Sequence, residues 1–188
     1  MRKYAWAERD RGTGCGIPSG MSTQPAVVTS PTDPESVLAK LGLALPTPAK
    51  PVAAYVPTKI TGSLLYVAGQ IPMKDGQLMF KGSLPGAVTL EQGIECARQC
   101  ALNGLAAAKA ALGSLSCIKQ VVRLGVFVAS EPGFYDQPKI ANGASELMVA
   151  VFGEAGRHAR AAVGSIALPL GAPVEVEFLF EVTAGECP

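Results

Sequence analysis

The chain is 188 residues long, 48% hydrophobic and 16% charged, with Lys+Arg 16 against Asp+Glu 15 and a formal net charge of +1. That length suits one domain of ordinary size, and the composition excludes an intrinsically disordered protein, which needs low hydrophobicity and high net charge. A near-neutral chain lacks the basic excess of proteins that neutralise phosphates, and a lone histidine, His158, excludes zinc sites of the HExxH kind.

Residues 1–20 are polar, mixed in charge and broken by glycine, without the apolar stretch of a secretory signal. Arg2, Lys3, Arg9 and Arg11 have the character of an organelle transit segment, whereas Glu8 and Asp10 argue against one, and Met21 offers an alternative start. With the Pro/Ser/Thr-rich stretch that follows, residues 1–32 read as a leader without fixed structure. No apolar run approaches the roughly 20 residues needed to cross a bilayer. Order is expected from Asp33-Pro34-Glu35, a capping Asp, a Pro at the first helical position and an acid in the first turn. The spacing of Val37, Leu38, Leu41 and Leu45 predicts a helix over Ser36–Leu45, ended by Pro46 and Pro48.

An extended stretch through Tyr55, Val56 and Ile60, a turn at Gly62 and a buried strand over Leu64–Val67 come next. Asp75-Gly76 is a tight-turn dipeptide, so Ile71–Met73 and Leu78–Phe80 read as the arms of a hairpin. Thr89-Leu90-Glu91-Gln92 is a capping box opening the longest helical pattern, which runs to Leu112 and stops at Gly113. Then follow a strand over Val121–Val128, a turn at Ser130–Gly133, a helix over Lys139–Phe152, and strands over Arg160–Ala167 and Val174–Val182 joined across Leu168–Pro173. In the last strand Val174, Val176, Phe178, Phe180 and Val182 alternate with Glu175, Glu177, Leu179 and Glu181, apolar on one face and three carboxylates on the other. This order predicts an α+β domain from residue 33 onward: one sheet, mostly antiparallel, with two helices on one face. The other face carries many aliphatics for a lone domain, so self-association across it is expected. The five cysteines include no CxxC pair, which favours neither a disulfide framework nor a four-thiolate metal site and points to a reducing compartment. Cys96 and Cys100, i,i+4 on the long helix, read as small apolar core residues.

From Tyr55 to Val182 the sequence resembles the RidA (YjgF) family, in a longer branch with an extra N-terminal helix. The resemblance rests on an ordered series: Tyr55 ahead of Gly62–Pro72 with its Gly69-Gln70-Ile71-Pro72, the strand Val121–Val128, Asn142 with Glu146, and Arg160 followed by Leu168-Pro169 and Val174-Glu175-Val176-Glu177. It implies a chorismate-mutase-like α+β fold assembling as a homotrimeric barrel, with pockets between subunits and no cofactor or metal. It also implies a deaminase that hydrolyses enamine/imine intermediates to 2-oxo acids and ammonia; the expected compartment is the cytoplasm, with the mitochondrion as the alternative. Carried over residue by residue, the family's carboxylate-binding arginine falls on Arg160, its acid on Glu175, its pocket tyrosine on Tyr55, its backbone donor on Gly69 and its pocket asparagine on Asn142. Ala68 and Ala162 stand where characterised imine deaminases carry Ser and Cys.

The chemistry of these residue types agrees. An Arg fork grips a planar carboxylate with two parallel hydrogen bonds, a carboxylate such as Glu175 can orient a water and move its proton, and a glycine lets a backbone N–H approach closely. Structural alternatives stand beside each role. Arg160 could pair with a strand carboxylate such as Glu181, Glu177 shares the face of Glu175, Tyr55 and Asn142 could bond backbone, and Gly69 could serve a turn. His158 is expected to be an exposed bystander. The expected partner is a small 2-imino or 2-oxo acid rather than a membrane. A non-catalytic carboxylate sensor is the alternative reading. Ribonuclease activity, also attached to the family's name, finds no paired histidines and no basic cluster here, so nucleic acid is not favoured.

Overall fold

The computed structural model describes residues 33–48 and 54–183; the leader expected over residues 1–32 and the Met21 start lie outside the described residues. Helix α1 spans Pro34–Lys40. The Asp33 carboxylate caps it, accepting from the Ser36 hydroxyl at 2.8 Å and from the backbone N–H groups of Ser36 and Glu35. Hydrogen bonds from Ser36 and then Glu35 hold that carboxyl down at about 2. The helix stops five residues before the expected Leu45 because Gly42 turns left-handed at φ 69. The Gly42 N–H donates to the Ala39 carbonyl (3.0 Å) and the Leu43 N–H to Leu38 (2.9 Å), the two bonds of a Schellman stop. Leu43 and Leu45 still pack on the core, but from an extended chain.

Strands β1 (Thr58–Thr61) and β2 (Leu64–Gln70) form a hairpin around Gly62, whose φ of 57 suits a residue without Cβ. A short ribbon of β3 (Met73–Lys74) and β4 (Gln77–Leu78) closes over Asp75-Gly76, both at positive φ. This is the expected hairpin with shorter arms. Helix α2 (Leu90–Leu112) starts at the Thr89/Gln92 capping box and ends at Gly113 with φ 85, as its sequence dictates. Strand β5 (Ile118–Ala129), helix α3 (Gln137–Phe152), β6 (Ala159–Ser165) and β7 (Val174–Val182) complete the chain.

The five-stranded sheet has the order β1-β2-β7-β5-β6, antiparallel except for the parallel pair β5–β6. The last two strands are therefore not neighbours. Helix α3 carries the chain back to the end where β5 began, so β6 must run parallel to it, and β7 then enters between β2 and β5. Val174, Val176, Phe178, Phe180 and Val182 are all buried under α2 and α3, as the alternation required. Phe178 and Phe180 stack at 5.8 Å between ring centroids. Cys96 and Cys100 are free and buried in this layer, and burial pushes the Cys96 thiol up to about 12, so neither offers a thiolate. Cys117 is disulfide-bonded, a departure from the expectation of none. Among the described residues no helix is long and apolar enough to cross a membrane.

Candidate functional site

Arg160 sits on β6, an edge strand, opposite Leu124 in register. Leu124 points under the helices, so Arg160 leans to the helix side and meets α3. Its Nη1 donates to Asn142 Oδ1 at 2.9 Å and to Ser145 Oγ at 3.0 Å, and its Nη2 donates to the Pro138 carbonyl at 3.3 Å. Nη1 has two N–H groups and both are used. No acceptor among the described residues takes the Nε–H, and Nη2 spends one of its two N–H groups, so the guanidinium keeps two donors for a planar carboxylate. Asn142 thus spends its carbonyl oxygen on orienting the arginine.

Glu175 stands on β7 opposite Phe127, on the face away from the helices. A β-bulge in β2 between Val67 and Gln70 brings Gly69 against it, so close that a Cβ at position 69 would overlap the Glu175 carboxylate. Burial, and secondarily the charge of Glu177, raise the Glu175 carboxyl above its ordinary 4.5. Glu177 is paired with Arg123 at 2.8 Å, and Glu181 accepts from Gln120 at 2.7 Å. The two neighbouring carboxylates are thus engaged, and Arg160 pairs with neither. Beside Gly69 opens a cavity of about 570 Å³, lined among others by Tyr55, Ile71, Asn103 and Leu170. Asn103 holds its wall in place by donating to the Ile71 and Met73 carbonyls at 2.9 and 3.1 Å.

The five expected residues therefore form two groups. Gly69 meets Glu175 at the bulge and shares a cavity wall with Tyr55, and Arg160 with Asn142 gathers at the β6 edge. Within one chain β5 separates the strands of Arg160 and Glu175, and the two side chains leave the sheet on opposite faces.

Two participants were not singled out by the sequence, and a third was misjudged. Ser145 lies one turn beyond Asn142 on α3, and Asn103 lies one turn beyond Gln99 on α2, whose Nε2 donates to its Oδ1 at 2.9 Å; both spacings were readable. His158 is the third, and the expectation of an exposed bystander is corrected: it is half-buried, with Nδ1 2.6 Å from the Gly156 carbonyl and Nε2 3.0 Å from Ser145 Oγ. Among the described residues no three His, Cys, Asp or Glu side chains cluster as metal ligands would.

Comparison with known proteins fits this geometry. Residues 35–182 match the family described as "YjgF/chorismate_mutase-like, putative endoribonuclease". Protein TCP17 of Trypanosoma cruzi is 47% identical over 146 residues, covering 77% of this chain and 91% of that protein. The crystal structure of Atu1372 from Agrobacterium tumefaciens, a protein of unknown function, superposes with a TM-score of 0.75 at 46% identity, covering 80% of this chain and 93% of that one. RidA from an Antarctic Psychrobacter is similar at 28% identity and a TM-score of 0.51, over 72% of this chain and 94% of that one. The chain, with its bulged Gly-Gln strand and edge arginine, belongs to the YjgF/RidA family.

Proposed function

We propose that the protein is a deaminase that hydrolyses small 2-imino acids to 2-oxo acids and ammonia, at sites completed between the subunits of a homotrimer. The observation that carries this reading is the guanidinium of Arg160, held by three acceptors on α3 with its Nε–H and one Nη2–H unbonded among the described residues. A carboxylate seated on that edge fixes the adjacent C=N carbon, which is most of what a reactive electrophile requires. Glu175 of a second subunit supplies the proton transfers. Its carboxylate takes a proton from the attacking water as oxygen bonds to the imine carbon, and returns that proton to the nitrogen to give a neutral carbinolamine. It then carries the hydroxyl proton to the same nitrogen as the C=O forms and the C–N bond breaks, so ammonia departs and the carboxylate is regenerated. A carboxyl raised by burial is a better base than an ordinary one and sits nearer neutral working pH. The cavity beside Gly69 gives the substrate side chain room, and Tyr55 borders it.

Assembly from more than one copy is supported by the separation of Arg160 and Glu175 within one chain. The face opposite the helices adds to this, since it carries Tyr66 and Val163, each 47% exposed, alongside Leu179 and Phe127. Such a patch is a natural contact surface.

The test generates 2-iminopropanoate in situ and follows pyruvate formation by the wild type, Arg160→Ala and Glu175→Gln. Catalysis above the spontaneous rate that both substitutions abolish is expected. A wild type that binds pyruvate without accelerating hydrolysis would make the protein a carboxylate sensor instead.

A further inference from the structure

We infer that His158 is a positioning residue for Arg160, acting through Ser145; this rests on the reading of Arg160 as the carboxylate clamp. The Gly156 carbonyl can only accept, so the 2.6 Å contact assigns the ring proton to Nδ1. In the neutral ring Nε2 then carries a lone pair and accepts the Ser145 hydroxyl proton across 3.0 Å. Ser145 has a single proton to give. Giving it to His158 turns the oxygen's lone pairs outward, and Arg160 Nη1 donates to that oxygen at 3.0 Å. The chain of donors therefore runs in one direction, from Arg160 to Ser145 to His158 to the Gly156 carbonyl. Each bond polarises the next.

The imidazole is anchored by backbone at the turn between α3 and β6, whereas Ser145 rides on α3 and Arg160 on β6. The relay thus ties the helix and the edge strand together at the point where the guanidinium must be aimed. Its neighbour Arg157 takes no part, being paired with Glu154 at 2.9 Å. Without the imidazole, the Ser145 hydroxyl is free to rotate and to donate back to its own helix, and one of the two Nη1 bonds loses its fixed direction.

The experiment measures pyruvate affinity by calorimetry, with KM and kcat for 2-iminopropanoate, in the full-length protein. Ser145→Ala and His158→Phe should each weaken affinity and raise KM by about three- to tenfold, with kcat changed by less than about twofold. His158→Gln, whose amide oxygen can accept from Ser145, and Ser145→Thr should recover most of the loss. The double variant Ser145→Ala/His158→Phe should be no worse than Ser145→Ala alone, because His158 acts only through the serine. Wild-type affinity in His158→Phe, or losses that add in the double variant, would overturn the relay. Arg160→Ala separates the two readings. If it binds pyruvate as well as the wild type, the clamp fails and the relay with it; if it loses binding while His158→Phe does not, only the relay fails. Should His158→Phe not fold, His158→Ala, which also removes the acceptor, takes its place with the same expected loss.

Discussion

Glu175 combines two effects that pull in opposite directions. The folded protein holds its carboxyl above the ordinary 4.5, chiefly by burial, so the ionised form is disfavoured in the fold. The stability it contributes is intact below the unfolded-state value and is lost as pH rises through the folded one. At neutral pH the charge is therefore a penalty, softened because the group is only partly buried. Glu175→Gln is expected to raise Tm slightly, by about 1–3 °C, while lowering deaminase activity by about a hundredfold or more. Calorimetry and the pyruvate assay on one preparation check both signs. The acid limb of the rate profile should lie above that of an ordinary glutamate and disappear in the variant. Gly69 belongs to the same unit. Gly69→Ala would push the carboxylate aside, so activity should fall steeply with little change in Tm, since the displaced atoms are the mobile end of a side chain. Of these residues the identities were legible in the sequence, but the contact between Gly69 and Glu175 was not. It depends on a bulge in β2, and no local pattern announces where a ladder skips a residue.

At the scale of elements, the patterns read correctly were the periodic ones. The capping box of α2, the stop at Gly113 and the alternation of β7 were all where their side-chain chemistry put them. Helix α1 was read too long because Leu41 and Leu45 continue a helical period, and the left-handed preference of Gly42 overrode it. Helix α2 meets α3 and strand β7 through small residues. A Cβ at Gly143 would overlap the Ile94 carbonyl, and one at Gly104 would come within 2.5 Å of the Phe178 ring. Backbone cannot swing away as a side-chain tip can. Gly143→Ala should therefore cost about 1–3 kcal/mol of stability by chemical denaturation, despite alanine's better helix propensity. A neutral or stabilising result would mean that the helices separate more easily than this packing implies.

For the whole molecule, the decisive fact is that Arg160 and Glu175 leave opposite faces of one sheet with β5 between their strands. A site using both needs two copies, and this makes complementation a direct test. Arg160→Ala and Glu175→Gln proteins, each inactive, should recover about a quarter of wild-type activity when unfolded and refolded as an equimolar mixture, because random assembly pairs an intact arginine with an intact glutamate in about one interface of four. No recovery in mixed oligomers would place both residues' work within single chains. Sedimentation equilibrium should return three times the 19.3 kDa chain mass, and a stable monomer would remove the basis for an interfacial site.

By itself, the sequence determined the class of every major element and the face that the last strand would bury, which follow from side-chain periodicity and capping and are local; the roles expected of Arg160 and Glu175 rest on the family resemblance. Only the tertiary structure decided that β6 runs parallel at the edge, that β7 is inserted between β2 and β5, and that His158 reaches Arg160 through Ser145. Those outcomes depend on which distant segments meet, and that is settled by burying the apolar faces of β5, β7, α2 and α3 together rather than by any residue's neighbours in sequence.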